Sequence, residues 1–286
     1  MFNNVYLIGV GLINASLAKD LKQQKLAKNI VGVGRDEARL SAAKKAGVID
    51  EFQLLVKMDV SDSDVIVIGV PVSNIQQCFE LIKPTLKPKT FVTDVGSSKA
   101  SVIGAAREVF GALPENFVPG HPIAGSEQSG FEHAIASLYK DRKVILTPTE
   151  NTAEAALSAI QSMWQNVGAH VDVMSAEKHD AILSATSHLP HMVAYSLVSY
   201  LANRDDAACI FNYAAGGFYD FTRIASSDPT MWSDICIENK NEIIKSIEGF
   251  TKNLNELKSK IEKQDKQAIY ESFSKSRKSR NENLKS

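Results

Sequence analysis

The stretch from Val5 to Lys22, VYLIGVGLINASLAKDLK, has the pattern of a strand, a tight turn and a helix. An apolar run ends at Ile8, glycines follow at the turn, and apolar residues then recur at helical spacing. Glycine at such a turn lets the backbone approach a pyrophosphate, which is bound by the N–H groups that begin the helix. Asn14 replaces the third glycine of the usual dinucleotide fingerprint. The predicted cofactor contacts at this turn are Gly9, Gly11, Leu12 and Ile13.

Further strands and helices extend this pattern as far as residue 174. Apolar runs predict strands at residues 30–33, 65–70, 91–95, 143–146 and 169–174. Because helical segments alternate with these strands, we expect an α/β domain over residues 1–174, with a Rossmann-like, doubly wound, mostly parallel sheet. From residue 175 to 286 the apolar spacing is helical, which predicts a second, all-α domain.

The end of the second strand bears on the choice between NAD and NADP. An NAD site offers a carboxylate to the ribose hydroxyls at this point, whereas an NADP site supplies a cation to the 2′-phosphate. Here the strand ends in Gly34 and is followed by Arg35, whose guanidinium suits a phosphate. We therefore expect NADP to be favoured. NAD is the alternative, in which Arg35 is solvated and Asp36 binds the ribose.

The carboxyl ends of two later strands lie where the ligands of such sheets bind. Pro71 stops the apolar run VIVIGV, and the run FVTDV is followed by GSSK. Val70, Pro71 and Asp94 are therefore predicted to line the cofactor site. Ser97 and Lys99 could orient a catalytic group or bind an anion, or they could cap the helix that follows.

A histidine suited to proton transfer lies in the stretch GHPIAGSE, residues 120–127. Its glycines and proline predict a rigid loop, in which no helix face requires His121 for packing. Imidazole titrates near neutral pH and can take a proton as a hydride leaves, so His121 is a candidate general base. A surface or structural role for this histidine is the alternative.

Two further stretches carry groups that could bind a substrate. SHLPH, residues 187–191, places two histidines three residues apart, a spacing that could serve a metal or a polar substrate contact. No carboxylate or thiolate pattern accompanies them, which disfavours zinc, and His188 could instead belong to the core. Arg223 lies among aromatic and small residues, where a guanidinium needs an anion such as a substrate carboxylate. An ion pair with Asp228 is the alternative.

Composition disfavours several classes of function. Of the 286 residues, 44% are hydrophobic and 23% charged, as in ordinary globular proteins. The 32 basic and 33 acidic residues give a formal net charge of -1, so no global field attracts nucleic acid or an anionic membrane. Three scattered cysteines, with no leader and no long apolar run, predict a cytoplasmic protein. The expected partners are small molecules and a second copy of the chain.

The last long helical pattern has a narrow apolar seam. Steps of four and three alternate along six residues: Ile243, Ile247, Phe250, Leu254, Leu257 and Ile261. That rhythm suits packing against another helix, either within the subunit or across a dimer. The polar, basic tail SKSRKSRNENLKS is predicted to be solvated and partly frayed rather than a nucleic-acid arm.

These stretches together resemble the prephenate dehydrogenase family, which includes arogenate and cyclohexadienyl dehydrogenases. The similar segments are GVGLINASLA, DVGSSK, GHPIAGSEQSG, SHLPH and GGFYDFTRIASSDPTMW, and they follow the family's order along nearly the whole chain. The resemblance implies oxidative decarboxylation of a cyclohexadienol to a phenol in tyrosine biosynthesis, with hydride transfer to NAD(P). The substrate would be prephenate or arogenate. The helical domain resembles the family's dimerisation domain, so a homodimer is expected.

The resemblance also implies roles for individual residues. His121 would accept the proton of the ring hydroxyl, Ser97 would hold His121 or that hydroxyl, and Arg223 would bind a substrate carboxylate. The partner subunit would complete each site near Tyr219. The family positions that would bind substrate or shape the pocket are Ser126, Glu127, His191, Gly216, Tyr219 and Trp232.

Two other interpretations fit part of the pattern. A β-hydroxyacid dehydrogenase also joins a dinucleotide domain to a helical one, but it relies on a lysine base, for which Lys178, Lys240 and Lys245 are available. A catalytically silent NADP-sensing module would bind the cofactor and a partner protein. Such a module would have no use for Arg223 beside His121.

Overall fold

The computed structural model describes residues 1–125 and 128–283, and the chain divides into two compact units, Met1–Lys240 and Asn241–Ser286. The strands are β1 (Phe2–Ile8), β2 (Ala27–Gly34), β3 (Glu51–Leu54), β4 (Val65–Ile68), β5 (Phe91–Asp94), β6 (Phe117–Val118), β7 (Gly120–Pro122), β8 (Lys143–Leu146) and β9 (His170–Val173). The helices are α1 (Leu12–Gln23), α2 (Glu37–Lys45), α3 (Ile75–Ile82), α4 (Ala100–Phe110), α5 (Glu154–Asn166), α6 (Ala176–Leu183), α7 (Leu189–Ala202), α8 (Ala207–Asn212), α9 (Gly216–Thr222), α10 (Pro229–Glu238), α11 (Lys240–Glu262) and α12 (Lys266–Asn283). Turns of 3-10 helix lie at Leu55–Lys57, Val72–Asn74, Phe131–His133 and Arg223–Ser226, and a π-helical turn spans Ser184–His188.

The larger sheet has the strand order of a doubly wound nucleotide-binding domain. Its order is β3-β2-β1-β4-β5-β6, and every neighbouring pair is parallel. The order reverses between β1 and β4, and such a reversal opens a crevice at the carboxyl ends of the two strands. The predicted Rossmann-like sheet is confirmed.

A second, smaller sheet contains β7, β8 and β9. β7 is antiparallel to β8, and β8 is parallel to β9. The prediction of one sheet as far as residue 174 is therefore wrong for these strands. Pro119 separates β6 from β7, and proline cannot donate to a strand ladder, so the chain leaves the first sheet here. Strands β6 and β7 are too short for periodicity to reveal them, and β3, with the sequence EFQL, lacks a continuous apolar run.

Alternate side chains of the central strands pack on opposite faces of the six-stranded sheet. Leu7 joins a core with Leu17 of α1 and Trp164 of α5. Ile8 joins a different core with Phe79 of α3. Both faces of the sheet are therefore covered by helices, which explains why the central strands read as continuous apolar runs.

Asn14, which replaces the third fingerprint glycine, ties the two central strands together. Its Nδ2 donates to the carbonyl oxygens of Ile8 at 3.2 Å, Gly9 at 2.9 Å and Val67 at 3.2 Å. Gly69 leaves room for this amide, because a Cβ at that position would lie 2.5 Å from Nδ2. Helix α1 therefore packs closely on the sheet without the usual glycine.

We expect Gly69→Ala to destabilise the protein by about 1–3 kcal/mol, because the added methyl overlaps the Asn14 amide. Gly104→Ala is the matched control. A Cβ at Gly104 would meet nothing within 4 Å inside α4, and removing a helix-interior glycine stabilises by roughly 0.5–1 kcal/mol. Urea unfolding measures both free energies, and equal stability of the two variants would contradict the close packing at Gly69.

Two details of the helical part were not predicted from the sequence. The helix that carries the apolar seam begins at Lys240, and an interruption at Asn239 separates it from α10. Asn239 is 5% exposed, and its Nδ2 donates to the Asp180 carbonyl oxygen at 3.0 Å, so an inward-turned amide marks the interruption. The tail, predicted to be frayed, is helical as far as Asn283 with no buried side chain along α12.

The division between the two compact units at Lys240 differs from the domain boundary predicted at residue 174. Helices α6 to α10 lie in the same compact unit as the sheets. Asp234 of α10 accepts a hydrogen bond from the Ser73 hydroxyl at 2.7 Å, and Asp180 of α6 accepts from two amides at the start of α4. These polar contacts join the helices to the sheet region, and the boundary at 174 stays a prediction.

The second unit contains α12 and all but the first residue of α11. Along α11, the seam residues Ile247, Leu254 and Ile261 are 39%, 48% and 57% exposed. They form an apolar stripe on the surface of the single chain. Among the helices that the structure describes, none has the length and apolar content required to span a bilayer.

Candidate active site

A cavity of about 770 Å³ adjoins the glycine turn after β1 and the loops that follow β4 and β5. Ligand sites commonly have volumes of about 300–1,000 Å³. Residues from the helical half of the first unit complete its wall. The predicted site residues on the wall are Gly11, Leu12, Ile13, Val70, Pro71, Ser97, His121, His191, Arg223 and Trp232. Residues predicted from separate stretches therefore meet around one cavity.

The turn after β1 has the form of a phosphate cradle. Gly9 has a φ of 85°, which favours glycine, and a Cβ there would lie 2.5 Å from the Gly69 carbonyl oxygen. Gly11 precedes α1 and supplies no side-chain cap, and nothing lies within 4 Å of where its Cβ would be. The first N–H groups of α1, which helix geometry leaves unpaired, therefore adjoin open space suited to an anion.

Arg35 and Asp36 follow β2, at the edge where this fold binds the adenosine ribose. The Asp36 carboxylate caps α2 by accepting from the Arg39 N–H at 3.0 Å. Arg35 is exposed and lies outside the described cavity wall. The Asp36 carboxylate is thus engaged in capping α2, while Arg35 is exposed on the surface at the end of β2.

Asp94 and Lys99 form a buried ion pair beneath the site, and both side chains are 0% exposed. The Asp94 carboxylate also accepts from the amides of Gly96 at 2.8 Å and Gly120 at 3.1 Å. Lys99 Nζ donates to the Gly120 carbonyl at 2.7 Å. Burial lowers the pKa of Lys99, although Asp94 opposes this shift. Asp94 therefore supports the site from beneath instead of lining it, which corrects the predicted cofactor contact.

His121 lies on β7, paired with β8, and not in the predicted loop. A strand position fixes the direction of its ring, which borders the cavity together with Ser97. Burial holds the pKa of His121 well below its ordinary value, and the nearby His179, Lys99 and His188 disfavour a further positive charge. The imidazole is therefore neutral at physiological pH, the state that can accept a proton.

The helical side of the cavity is shaped by the π-helical turn that precedes α7, a distortion that often marks functional sites. His191 stacks on Trp232 with ring centroids 3.7 Å apart. Its Nδ1 lies 2.9 Å from the Ser187 carbonyl oxygen, so Nδ1 donates and Nε2 is left as an acceptor. His188 is 1% exposed and bonded to Asn239, so it belongs to the core. Among the described residues, no cluster of His, Cys, Asp and Glu could hold a metal ion.

The remaining predicted residues lie elsewhere. Gly216 begins α9, and Tyr219 is 62% exposed in the single chain, and neither borders the described cavity. Asp228, the alternative partner of Arg223, caps α10 by accepting from the Thr230 N–H at 2.8 Å. Ser126 and Glu127 lie outside the described residues.

One pair of residues in hydrogen-bond contact with the candidate base was not predicted from the sequence. His179 Nε2 lies 2.9 Å from His121 Nδ1, and His179 Nδ1 lies 2.7 Å from Asp180 Oδ1. The only sequence signal is an adjacent His-Asp in a helical segment, which by itself indicates nothing about a site. Tertiary packing brings this pair to His121.

A doubly wound sheet, a glycine turn at its switch point and a cavity shared with helical residues define the class of dinucleotide-binding proteins. The family model for the prephenate dehydrogenase nucleotide-binding domain matches residues 17–173, and that for the prephenate dehydrogenase dimerization domain matches residues 175–275. The chain belongs to the prephenate dehydrogenase family.

Individual relatives match over nearly the whole chain. Cyclohexadienyl dehydrogenase of Zymomonas mobilis is 33% identical, with 98% of this chain and 96% of the relative covered. Prephenate dehydrogenase of Bacillus subtilis is 34% identical, with 96% and 74% covered. Prephenate dehydrogenase from A. aeolicus, solved in complex with hydroxyphenyl propionate and NAD+, is 38% identical with a TM-score of 0.92, covering 99% of this chain and 98% of that one.

Proposed function

We propose that the protein converts prephenate to 4-hydroxyphenylpyruvate by oxidative decarboxylation, with arogenate as the alternative substrate. The observation that carries this proposal is the shared cavity wall, on which His121 and Arg223 occur together with the phosphate turn. The substrate has a ring hydroxyl, from which a neutral base can take the proton, and carboxylate groups, one of which a guanidinium can bind.

The residues present fit a nicotinamide dinucleotide. Gly11 leaves open space where a side chain would point, and the uncapped N–H groups of α1 would hold the pyrophosphate. Val70 and Pro71 would flank the cofactor on the other side of the crevice. When bound, the nicotinamide supplies the acceptor for the hydride that leaves the ring carbon.

The main contributions of the protein would be to orient the substrate and the cofactor and to transfer one proton. His121 Nε2 would accept the proton of the ring hydroxyl as the carbon that bears it loses a hydride. The ring carboxylate then leaves as CO2, its bonding electrons complete the aromatic ring, and His121 returns the proton to the phenolic oxygen. Ser97 would hold the imidazole or the hydroxyl. Because aromatisation drives the reaction, orientation is the larger contribution of the protein.

Mixing the purified protein with prephenate or arogenate and with NAD or NADP, and following reduced nicotinamide, tests the assignment. We expect turnover with at least one cyclohexadienyl substrate. A failure of both would favour the NADP-sensing alternative. The β-hydroxyacid dehydrogenase alternative lacks support from the cavity, because its described wall contains no lysine.

Replacing Arg223 with alanine is expected to raise the KM for the substrate by about 10- to 100-fold, with a smaller change in kcat. A hydrogen bond to a charged group contributes about 1.5–3 kcal/mol, and the carboxylate is bound in both ground and transition states. Arg204→Ala is the control, because Arg204 forms an exposed ion pair with Asp206. An unchanged KM in Arg223→Ala would show that Arg223 serves an internal partner.

We propose that NADP is preferred over NAD, because Asp36 is engaged in capping α2 while Arg35 is exposed beside it. Arg35→Ala is expected to weaken NADPH binding by about tenfold and to leave NADH binding nearly unchanged. Arg107→Ala, which removes an exposed arginine paired with Glu150, is the control. Fluorescence titration of both reduced cofactors measures the effect, and equal losses for both would contradict the preference.

We further propose a homodimer formed through the helical domain. The half-exposed apolar stripe of Ile247, Leu254 and Ile261 on α11 supports it, as does the match to a dimerization domain. In such a dimer the exposed Tyr219 could reach the partner's cavity. A monomer mass in sedimentation equilibrium at micromolar concentration would contradict this proposal.

A further inference from the structure

His121 is the first of three side chains joined by hydrogen bonds. Its Nδ1 is 2.9 Å from His179 Nε2, and His179 Nδ1 is 2.7 Å from Asp180 Oδ1. His179 is 0% exposed and Asp180 is 4% exposed. The polar chain thus runs from the cavity wall into the protein, and the reaction as described so far uses only its first member.

Asp180 acts only as an acceptor at the buried end of this chain. Oδ1 accepts from the Lys99 N–H at 2.8 Å, and Oδ2 accepts from the Ala100 N–H at 2.9 Å, at the start of α4. Burial alone would raise the pKa of Asp180, but the bonds to His179 and these amides lower it on balance. The side chain is therefore an ionised carboxylate with no proton to donate.

The protonation of each ring nitrogen follows from this acceptor. His179 must donate from Nδ1, because Asp180 has no proton to give. With one proton on each of the two rings, His179 has only Nε2 left, as an acceptor, and His121 donates to it from Nδ1. A neutral imidazole carries one ring proton, and His121 Nε2 is therefore left with a lone pair on the opposite edge of the ring.

We propose that His179 and Asp180 are positioning residues that hold His121 in the Nδ1–H tautomer, so that Nε2 can take the substrate's proton. After the transfer, His121 carries a positive charge. The His179 dipole, oriented by the Asp180 carboxylate, stabilises that imidazolium. Only the identity of the proton donor rests on the proposed function, because the tautomer is a property of the protein without substrate.

Nitrogen-15 NMR of histidine-labelled protein tests the tautomer directly. The chain has six histidines, and the His121→Asn variant assigns the signal of interest. At neutral pH we expect His121 Nδ1 to carry the proton and Nε2 to be unprotonated. A neutral His121 protonated at Nε2 would overturn the proposal, and this result concerns the wild-type protein, whose folding is not in question.

Two variants of His179 test the consequence for turnover. His179→Phe keeps an aromatic ring but removes both nitrogens, and we expect kcat to fall about 10- to 100-fold, while KM and cofactor affinity change less than about twofold. His179→Asn has an amide that can donate to Asp180 and accept from His121, and it should recover part of kcat. An unchanged kcat in His179→Phe would overturn the positioning role.

His188→Gln is the matched control for loss of a buried histidine. His188 is 1% exposed, as deeply buried as His179, but its Nδ1 is bonded to Asn239 and not to His121. We expect mixed His121 tautomers in His179→Phe and the wild-type tautomer in His188→Gln. Equal mixing in both variants would overturn the proposal. If the wild type converts neither cyclohexadienyl substrate, the proposed function fails, whereas the tautomer result still decides this proposal.

Discussion

Replacing His121 with asparagine is expected to lower kcat by about 100-fold or more, while the affinity for the nicotinamide cofactor changes by less than about threefold. Asparagine can hydrogen-bond the ring hydroxyl but cannot take its proton. His121 borders the cavity with a neutral ring, and the cofactor turn is built by other residues. Steady-state kinetics and cofactor titration separate the two effects.

The control for this variant is His170→Asn. His170 lies on β9 of the same small sheet, and its side chain is 70% exposed, so its loss should leave kcat near the wild-type value. Near-normal turnover in His121→Asn would remove His121 as the base. It would also favour the β-hydroxyacid dehydrogenase alternative, which relies on a lysine base. That lysine would have to come from outside the described cavity wall, which contains none.

The pH profile of the wild type gives an independent view of the same base. His121 must be unprotonated to accept a proton, and burial together with His179, Lys99 and His188 holds its pKa well below 6.5. A lowered base pKa moves the acid limb of the profile to lower pH. We therefore expect kcat/KM to stay level as pH falls through 6.5 and to decline only below it.

Lys99→Met is expected to destabilise the protein by about 3–5 kcal/mol, because it leaves the Asp94 carboxylate buried without its cation. Both side chains are 0% exposed, and Lys99 Nζ also holds the Gly120 carbonyl next to His121. Urea unfolding measures the loss. The double variant Asp94→Asn with Lys99→Met should recover part of it, since no uncompensated charge remains.

Lys143→Met is the matched control for this buried pair. Lys143 pairs with Asp172 at 2.5 Å, but the two side chains are 63% and 43% exposed. Solvent-exposed pairs typically contribute less than about 1 kcal/mol. A loss in Lys99→Met no larger than that in Lys143→Met would show that the Asp94–Lys99 pair does not stabilise the floor of the site.

The central sheet was predictable because each of its main strands is long enough to leave a continuous apolar run. VIVI at Val65–Ile68 and the run that ends at Ile8 are covered by helices on both faces, so every position is apolar. The three-residue strand that carries His121 leaves no such signal. Pro119 and Gly120 indicate a loop in isolation, and only pairing with β8 makes the segment a strand.

Individual residues that line the cavity could be predicted from the sequence. Contacts between side chains from distant segments could not. Ser97, His121 and Arg223 stand in distinctive stretches, and all border the cavity. The contact between His121 and His179 joins positions 58 residues apart, and only the packing of α6 near the start of α4 creates it. Asp94 was predicted to contact the cofactor because it lies at the carboxyl end of a strand. The structure buries its carboxylate against Lys99, a contact that the sequence alone cannot reveal.

The stoichiometry of the reaction distinguishes oxidative decarboxylation from a simple dehydrogenation. Oxidative decarboxylation forms one reduced nicotinamide and one CO2 for each cyclohexadienol consumed, because the hydride and the ring carboxylate are lost from the same molecule. We predict equal amounts of both products when the purified protein is given prephenate or arogenate with its preferred cofactor. Reduced nicotinamide without CO2, or no reaction with either substrate, would show that the protein does not catalyse this oxidative decarboxylation.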